Sequence, residues 1–342
     1  MKFTTIILLL FCIGPLQANR PMRTWEKEDK MALSITNKES ATLDGLTKKI
    51  KSFRTDNWGR FRIAFRWVAE HIVYDVISYK TNNIKNQSAQ EVLKGRRAVC
   101  AGYAELLKTI AIGLGIKTEV ITGYAKQRGI CYEKLSKTDH AWNAAEFDGS
   151  WYLFDATWAA GGVDEKDRFR KGFVDFYFAP APEELLFNHL PSDSRWQLVA
   201  DTLSRGEFES RCSVNVTLFK LGLTVGSIKK ICPTFQCRMV DVNSVPLTNK
   251  ISKAEIPFEK LLTAGTAYSF AFHASADARF YIENKPPITK EKVIVLYEDW
   301  IKVIPYKKNG SAITFTPQPG DLSITMTENG RSETIFAWTV NN

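Results

Sequence analysis

A chain of 342 residues, 44% hydrophobic and 24% charged, has room for two ordinary domains and the balance of a folded protein, and its 12% aromatic content argues against disorder. The formal charge of +9 leaves an acidic partner open. Yet the cations fall in helical-looking segments such as Lys48-Lys49-Ile50-Lys51 and Arg60-Phe61-Arg62, where solvated faces normally carry them, and the sequence holds no nucleic-acid module.

Lys2 is followed by an apolar run from Ile6 to Ile13 and then Gly14-Pro15-Leu16-Gln17-Ala18. A charged start, a core too short to span a bilayer and a small residue before a cut predict a signal peptide over residues 1–18. Phe11 is too large to precede a lipoprotein cysteine at Cys12, and no later stretch is apolar enough to cross a membrane. The expectation is therefore a secreted or extracytoplasmic protein, in a compartment that permits disulfides. Beyond Cys12 lie Cys100, Cys131, Cys212, Cys232 and Cys237, an odd set in which internal bridging leaves one thiol over. Bridges are expected among the last four. Asn86-Gln87-Ser88, Asn215-Val216-Thr217 and Asn309-Gly310-Ser311 fit the glycosylation tripeptide, which matters only in a eukaryotic source.

Residues 22–55 read as a mostly helical lead-in. From Asp56 to Ile72, Phe61, Ala64, Phe65, Val68 and Ile72 recur at helical spacing, with Arg60, Arg62, Arg66 and Glu70 on the other face. Ser88-Ala89-Gln90-Glu91 has the form of a capping box, and that short helix should end at Gly95. The next helix is expected to begin near Cys100, with Ala101, Ala104, Leu107, Ile110, Ala111 and Leu114 along one side and Gly115 at its exit. Lys117 to Gly123 reads as a strand. His140–Phe147 and Ser150–Asp155 form two β-rich runs around Asp148-Gly149, a strong hairpin signal. Residues 157–178 read as a long loop over one edge of the domain. Beyond about Arg205 come short β-rich segments: Ser213–Val225, Thr266–His273, Val293–Tyr297, Ala312–Thr316 and Thr334–Val340. They predict a β-sandwich, with a domain boundary near residue 208. The expected organisation is a signal peptide over 1–18, a first domain over 19–207 and an all-β domain over 208–342.

Cys100, His140 and Asp155, in that order, are the parts of a thiol acyl-transfer site. At the first turn of a helix, free amides and the positive end of the dipole favour a thiolate, the nucleophilic form. Arg96 and Arg97 add to this if they turn toward the thiol rather than toward water. If Asp148-Gly149 is a two-residue loop, Phe147 faces Ser150 and Asp155 lies opposite Trp142. Side chains two apart on a strand share a face, so His140 and Asp155 become diagonal neighbours with Cα atoms about 7–8 Å apart. A slip of one residue would destroy this. Of the other histidines, His71 sits at a helix end, His189 in a later segment and His273 in the β-rich half, none with a comparably placed acid. Each residue has a blander reading, as a buried thiol, an exposed imidazole or a turn aspartate. It is the joint placement that favours chemistry.

The blocks Ala98-Val99-Cys100-Ala101-Gly102-Tyr103-Ala104, Asp139-His140-Ala141-Trp142-Asn143 and Trp151-Tyr152-Leu153-Phe154-Asp155-Ala156-Thr157-Trp158 resemble the three core blocks of the transglutaminase-like superfamily. Within it the chain most resembles the kyphoscoliosis peptidase branch, through residues 66–75, Phe176–Glu184 and Arg195-Trp196-Gln197-Leu198. The resemblance covers roughly residues 40 to 205. It implies an α+β, papain-like core with a helical layer against an antiparallel sheet. In that core Cys100 attacks a carbonyl, His140 pairs with the thiolate and protonates the departing amine, and Asp155 holds the imidazole. Trp142 and Trp158 are candidate walls of the cleft, core packing being the expected role of at least one. The resemblance implies that no cofactor or metal is required, and no acidic cluster matches the calcium sites of animal transglutaminases. Three functions stay open: a cysteine peptidase or amide hydrolase, a protein-crosslinking transglutaminase, and a binding or scaffold protein that retains the fold. The expected partners are a protein or peptide substrate and a cell-surface or extracellular protein meeting the β-sandwich.

Overall fold

The computed structural model describes residues 23–127, 129–242, 251, 253–273, 279–285, 301–304, 313–317, 319–329 and 331–341. The expected signal peptide, the strand over Val293–Tyr297 and the tripeptide at Asn309 lie outside the described residues. The chain divides into two compact units. The first holds residues 1–121, 141–182 and 193–203; the second holds 122–140, 183–192 and 204–342. The division passes through two strands of one sheet, and the expected boundary at residue 208 falls within a helix of the second unit.

The first unit opens with helices α1 (Glu26–Leu33), α2 (Leu43–Ser52) and α3 (Asn57–His71). Asp56 starts α3 by accepting from the Gly59 N–H at 2.8 Å. The helical stripe of α3 is buried as its spacing implies, and its aromatic rings form the centre of the core. Trp58 stacks on Phe147 at 4.0 Å, and Phe61 meets Phe154 at 4.5 Å. One member of the polar face departs from expectation. Arg62 is 2% exposed, because Asp29 of α1 takes its Nε and Nη2 and Asp175 takes its Nη1, while Phe178 lies 4.7 Å beneath the guanidinium. A guanidinium is buried only where its donors are met in this way.

A short parallel pair follows, β1 (Val73–Tyr74) with β2 (Arg97–Ala98), flanking α4 (Val76–Lys80) and α5 (Ala89–Gly95). Ser88 is the N-cap of α5, but its side chain makes no capping bond, so the expected box does not form. Gly95 is the last helical residue, and the left-handed position that ends the helix is Arg96, at φ 52°. Helix α6 (Cys100–Gly113) begins where the sequence places it and leaves through Gly115 at φ 82°. Its apolar side is buried except for Ala101, which is exposed.

Strands β3 (Thr118–Ala125), β4 (His140–Phe147), β5 (Ser150–Phe154) and β8 (His189–Pro191) form one sheet in the order β5-β4-β3-β8. Asp148 at φ 52° and Gly149 at φ 76° make the two-residue turn between β4 and β5. Residues 157–178, expected as a loop, instead contain α7 (Ala156–Ala160) and the hairpin β6 (Gly161–Val163) with β7 (Phe169–Lys171). Asp155 is the reason. Its carboxylate caps the amides of Thr157 and Trp158 and starts a helix where glycine and charge imply irregular chain.

In the second unit, α8 (Pro182–Leu185) is followed by α9 (Arg205–Ser210), α10 (Thr217–Lys220) and α11 (Val225–Ile231). The segment Ser213–Val225, expected as a strand, instead holds the short helix α10 and the first residue of α11, joined by irregular chain. Asn215 accepts from the Thr217 N–H and Thr224 from the Ser227 N–H, and these local caps override the β-branched composition. Beyond them lie two sheets. One is β10 (Lys253–Glu255), β12 (Tyr268–His273) and β15 (Ile313–Phe315), in the order β10-β12-β15. The other runs β11 (Leu261–Thr263), β17 (Arg331–Asn341), β16 (Gly320–Glu328), β13 (Arg279–Lys285) and β14 (Ile301–Ile304), with β9 (Asp241–Val242) also on β17. Leu322, Ile324 and Met326 alternate inward along β16. Phe270 and Phe272 of the first sheet meet Trp338 and Phe336 of the second at 5.6 and 5.7 Å, which makes the pair a sandwich.

Candidate active site

The backbone leading to Cys100 is held on both sides. The Val73 and Asp75 amides donate to the carbonyls of Arg96 and Ala98, each at 2.9 Å, so β2 delivers the chain to α6 at a fixed angle. Cys100 is the first residue of α6 and is 8% exposed. It takes part in neither disulfide: the structure pairs Cys131 with Cys212 and Cys232 with Cys237, within the set the cysteine count singles out. The N-cap of α6 is Val99, whose side chain has no acceptor, so the amides of the first turn are not capped by it. The two arginines upstream do not reinforce the thiol. Arg96 turns away to donate to Ser40 and lies 4.6 Å over the Trp67 ring, and Arg97 is exposed.

Helix α6 is fixed to its neighbours by two buried polar side chains. The Tyr103 hydroxyl donates to the Ile72 carbonyl at 2.6 Å, and burial, with Tyr74 and the Asp155 charge behind it, pushes its phenol well above the usual range. Asn143, fully buried on β4, donates from Nδ2 to the Ala104 carbonyl of α6 at 3.0 Å and to the Glu119 carbonyl of β3 at 3.3 Å. Asn143 stands three residues beyond His140. The signal for it in the sequence is a lone amide among apolar neighbours in Ala141-Trp142-Asn143-Ala144.

Beside α6, Cys100 and Ala104 pack with Ala141, the residue that follows His140. The pairing of β4 with β5 runs from Phe147↔Ser150 to Asn143↔Phe154, the register expected from the hairpin. Continued by one pair it sets Asp155 opposite Trp142, on the face that also carries His140. Asp155 is 1% exposed. Its Oδ1 accepts from the amides of Thr157 at 2.8 Å and Trp158 at 3.0 Å, and its own N–H donates to the Tyr177 carbonyl.

His189, set aside in the sequence for want of an acid, is a second imidazole near the first. It lies on β8 with 1% exposure, its ring edge-on to His140 with centroids 5.2 Å apart. Of the two tryptophans expected along the cleft, Trp142 is 1% exposed and belongs to the core. Trp158 is half-buried against Tyr177, with ring centroids 5.7 Å apart. His71 stacks on Trp67 at the end of α3 and takes no part.

The chain is 29% identical to the kyphoscoliosis peptidase of Mus musculus over 194 residues, covering 55% of this chain and 29% of that protein, and equally to its Homo sapiens counterpart. Hillarin of Drosophila melanogaster is 24% identical over 58% of this chain and 26% of its own. Among solved structures, a TGase aligns with a TM-score of 0.27 at 17% identity, over 45% of this chain and 37% of that one. The chain thus spans less than a third of the length of these curated relatives. A family model described as the transglutaminase-like superfamily matches residues 44–156, a span that begins in α2 and closes one residue past Asp155. Cys100, His140 and Asp155 all lie inside this stretch, which is similar to the transglutaminase-like superfamily.

Proposed function

We propose that the chain is an exported thiol acyl-transfer enzyme, a cysteine peptidase or close amide hydrolase, working through Cys100, His140 and Asp155. The observation that carries the reading is the β4–β5 register, which puts His140 and Asp155 on one face, with a ring nitrogen and a carboxylate oxygen of the two within 4.8 Å. The Cys100 thiolate attacks the carbonyl carbon of a peptide or carboxamide, and the backbone N–H of Cys100 receives the developing oxyanion. The His140 imidazolium gives its proton to the departing amine as the C–N bond breaks, leaving a thioester on Cys100. A water molecule, deprotonated by His140, then attacks the thioester. The C–S bond breaks, releasing a carboxylic acid and restoring the thiolate–imidazolium pair. Asp155 holds the imidazole in the orientation that serves both halves. The half-buried Trp158 is the proposed wall for the acyl chain.

The mammalian relatives are peptidases by name, which favours a peptidase here, and the two disulfides favour an oxidising compartment. The β-sandwich is proposed to hold an extracellular protein partner. The decisive experiment labels the mature protein with an electrophilic amide-mimicking probe, beside Cys100→Ala and His140→Ala. Fast labelling that both substitutions abolish is the expected result. Labelling no faster than that of an ordinary thiol would leave a scaffold with a retained fold. Products formed with and without a primary amine then separate hydrolysis from crosslinking.

A further inference from the structure

Gly102 occupies the third helical position of α6, counting Cys100 as the first. At that position a glutamate or glutamine often reaches back to the amide of the N-cap residue, completing one half of a capping box. Here there is no side chain to do so, and there is no room for one. A Cβ built on Gly102 would stand 2.4 Å from Oε1 of Gln87, 2.7 Å from Cβ of Ala98 and 2.8 Å from Cγ2 of Val92. The space is already taken by the amide of Gln87, half-buried in the loop before α5. Its Oε1 accepts from the N–H of Val99, the N-cap of α6, at 3.0 Å, and its Nε2 donates to the Lys85 carbonyl at 3.0 Å.

Resting on the reading of Cys100 as nucleophile, we propose that Gln87 is a positioning residue for it. Gln87 supplies from another loop the half of the capping box that Gly102 lacks. The physical gain lies in which amide is engaged. A serine or aspartate at the N-cap would anchor the helix start by accepting from an amide of the second or third helical residue. Gln87 anchors the same start through the Val99 amide, one residue ahead of Cys100, while the Gly102 amide bonds the Val99 carbonyl at 3.0 Å. Gly102, in the Cys100-Ala101-Gly102-Tyr103 block, is glycine because Gln87, Ala98 and Val92 together fill the space a Cβ would take. Neither residue is a catalytic residue; both act through the placement of Cys100.

The test uses Gln87→Ala, Gly102→Ala, the double variant and Gln87→Glu. Four readouts are followed: amide exchange at Val99, the pH profile of probe labelling at Cys100, turnover and the thermal midpoint. Gln87→Ala and Gly102→Ala should each expose the Val99 amide and slow labelling and kcat on the order of tenfold to a hundredfold with KM little changed. The double variant should be no better than Gly102→Ala alone, because the added Cβ still meets Ala98 and Val92 when Gln87 is shortened. Gln87→Glu keeps the acceptor, so Val99 stays protected. Its charge beside the first turn should move the midpoint of the labelling profile upward by about one pH unit. A reactive wild-type thiol with an unaltered Gln87→Ala variant overturns the positioning role alone. A wild-type thiol of ordinary reactivity overturns the proposed function, and this role with it.

Discussion

Asp155 has two duties that one substitution can separate. As the N-cap of α7 it needs only a side-chain oxygen to accept from Thr157 and Trp158, and asparagine serves that purpose about as well as aspartate. As the proposed partner of His140 it needs a carboxylate, since a neutral amide holds the wrong tautomer and does not stabilise an imidazolium. Asp155→Asn should therefore leave the unfolding free energy within about 0.5 kcal/mol while lowering turnover about a thousandfold or more. Asp155→Ala should lose the activity and also about 1 kcal/mol of stability. Urea denaturation run beside turnover distinguishes these patterns, and a stable, fully active Asp155→Asn would remove this aspartate from the mechanism. Arg62 presents a similar asymmetry. Its guanidinium is 2% exposed, whereas Asp29 and Asp175 are 25% and 47% exposed. Loss of the two-point bond from Asp29 strands a buried cation, and Asp29→Ala should cost about 3 kcal/mol. Asp175→Ala leaves that bond in place and should cost about 1 kcal/mol or less. Equal losses in chemical denaturation would mean that Arg62 is not held in the way its bonds indicate.

At the scale of elements, the chain between β3 and β4 is the segment that leads directly to His140, and it is held by α9. Glu209 of α9 accepts from the Leu135 amide at 3.0 Å, from Arg205 at 2.9 Å and from Lys134 at 3.3 Å. The Leu135 amide first, then Arg205 and Lys134, hold its carboxyl down to about 2, against an ordinary value of 4.5. A carboxylate whose folded pKa is lowered adds stability that is whole above the unfolded value and fades as pH falls toward the folded one. Amide protection at Leu135 should therefore be full above about pH 4.5 and decline between there and pH 2. Glu209→Gln should show lower protection at neutral pH and a flatter profile, as read by hydrogen exchange. On the other side of the same segment the Lys126 ammonium donates to the carbonyls of Glu209 and Arg211, at 3.1 and 2.8 Å, and to that of Phe208. None of this is legible in the sequence, because a lysine that caps a helix distant in the chain leaves no local pattern. What was legible is what period and turn chemistry determine. The stripe of α3, the start of α6 at Cys100, and the β4–β5 register set by Asp148-Gly149 all follow from residues within a few positions of one another. The misses follow the same division. Arg62 reads as solvated because its partners lie on α1 and before Phe178; Ser213–Val225 reads as extended on its valines and threonines, although two short helices start within it; His189 reads as remote because only the sheet places it near His140.

For the molecule as a whole, the cysteines decide how firmly distant segments of the second unit are joined. Cys131, in the segment before β4, is bridged to Cys212 just past α9, across a sequence separation of 81 residues. Cys232 and Cys237 close a separation of 5 at the end of α11. In the chain-entropy account a bridge stabilises by restricting the unfolded chain, and more so the longer the loop it closes. The long bridge should then contribute about 4.5 kcal/mol and the short one about 2 kcal/mol. Replacing Cys131 and Cys212 by serine should lower the denaturant midpoint of the second unit about twice as far as replacing Cys232 and Cys237 does. The long bridge also bears on chemistry, since the chain it ties down runs on through Glu209's partner Leu135 to His140. Its loss should raise amide exchange at Leu135 and slow probe labelling of Cys100, while loss of the short bridge should change neither. A Cys131→Ser, Cys212→Ser protein that is destabilised yet labels at the wild-type rate would show that the bridge holds the fold alone. Slowed labelling with protection at Leu135 intact would place the coupling elsewhere than in this segment.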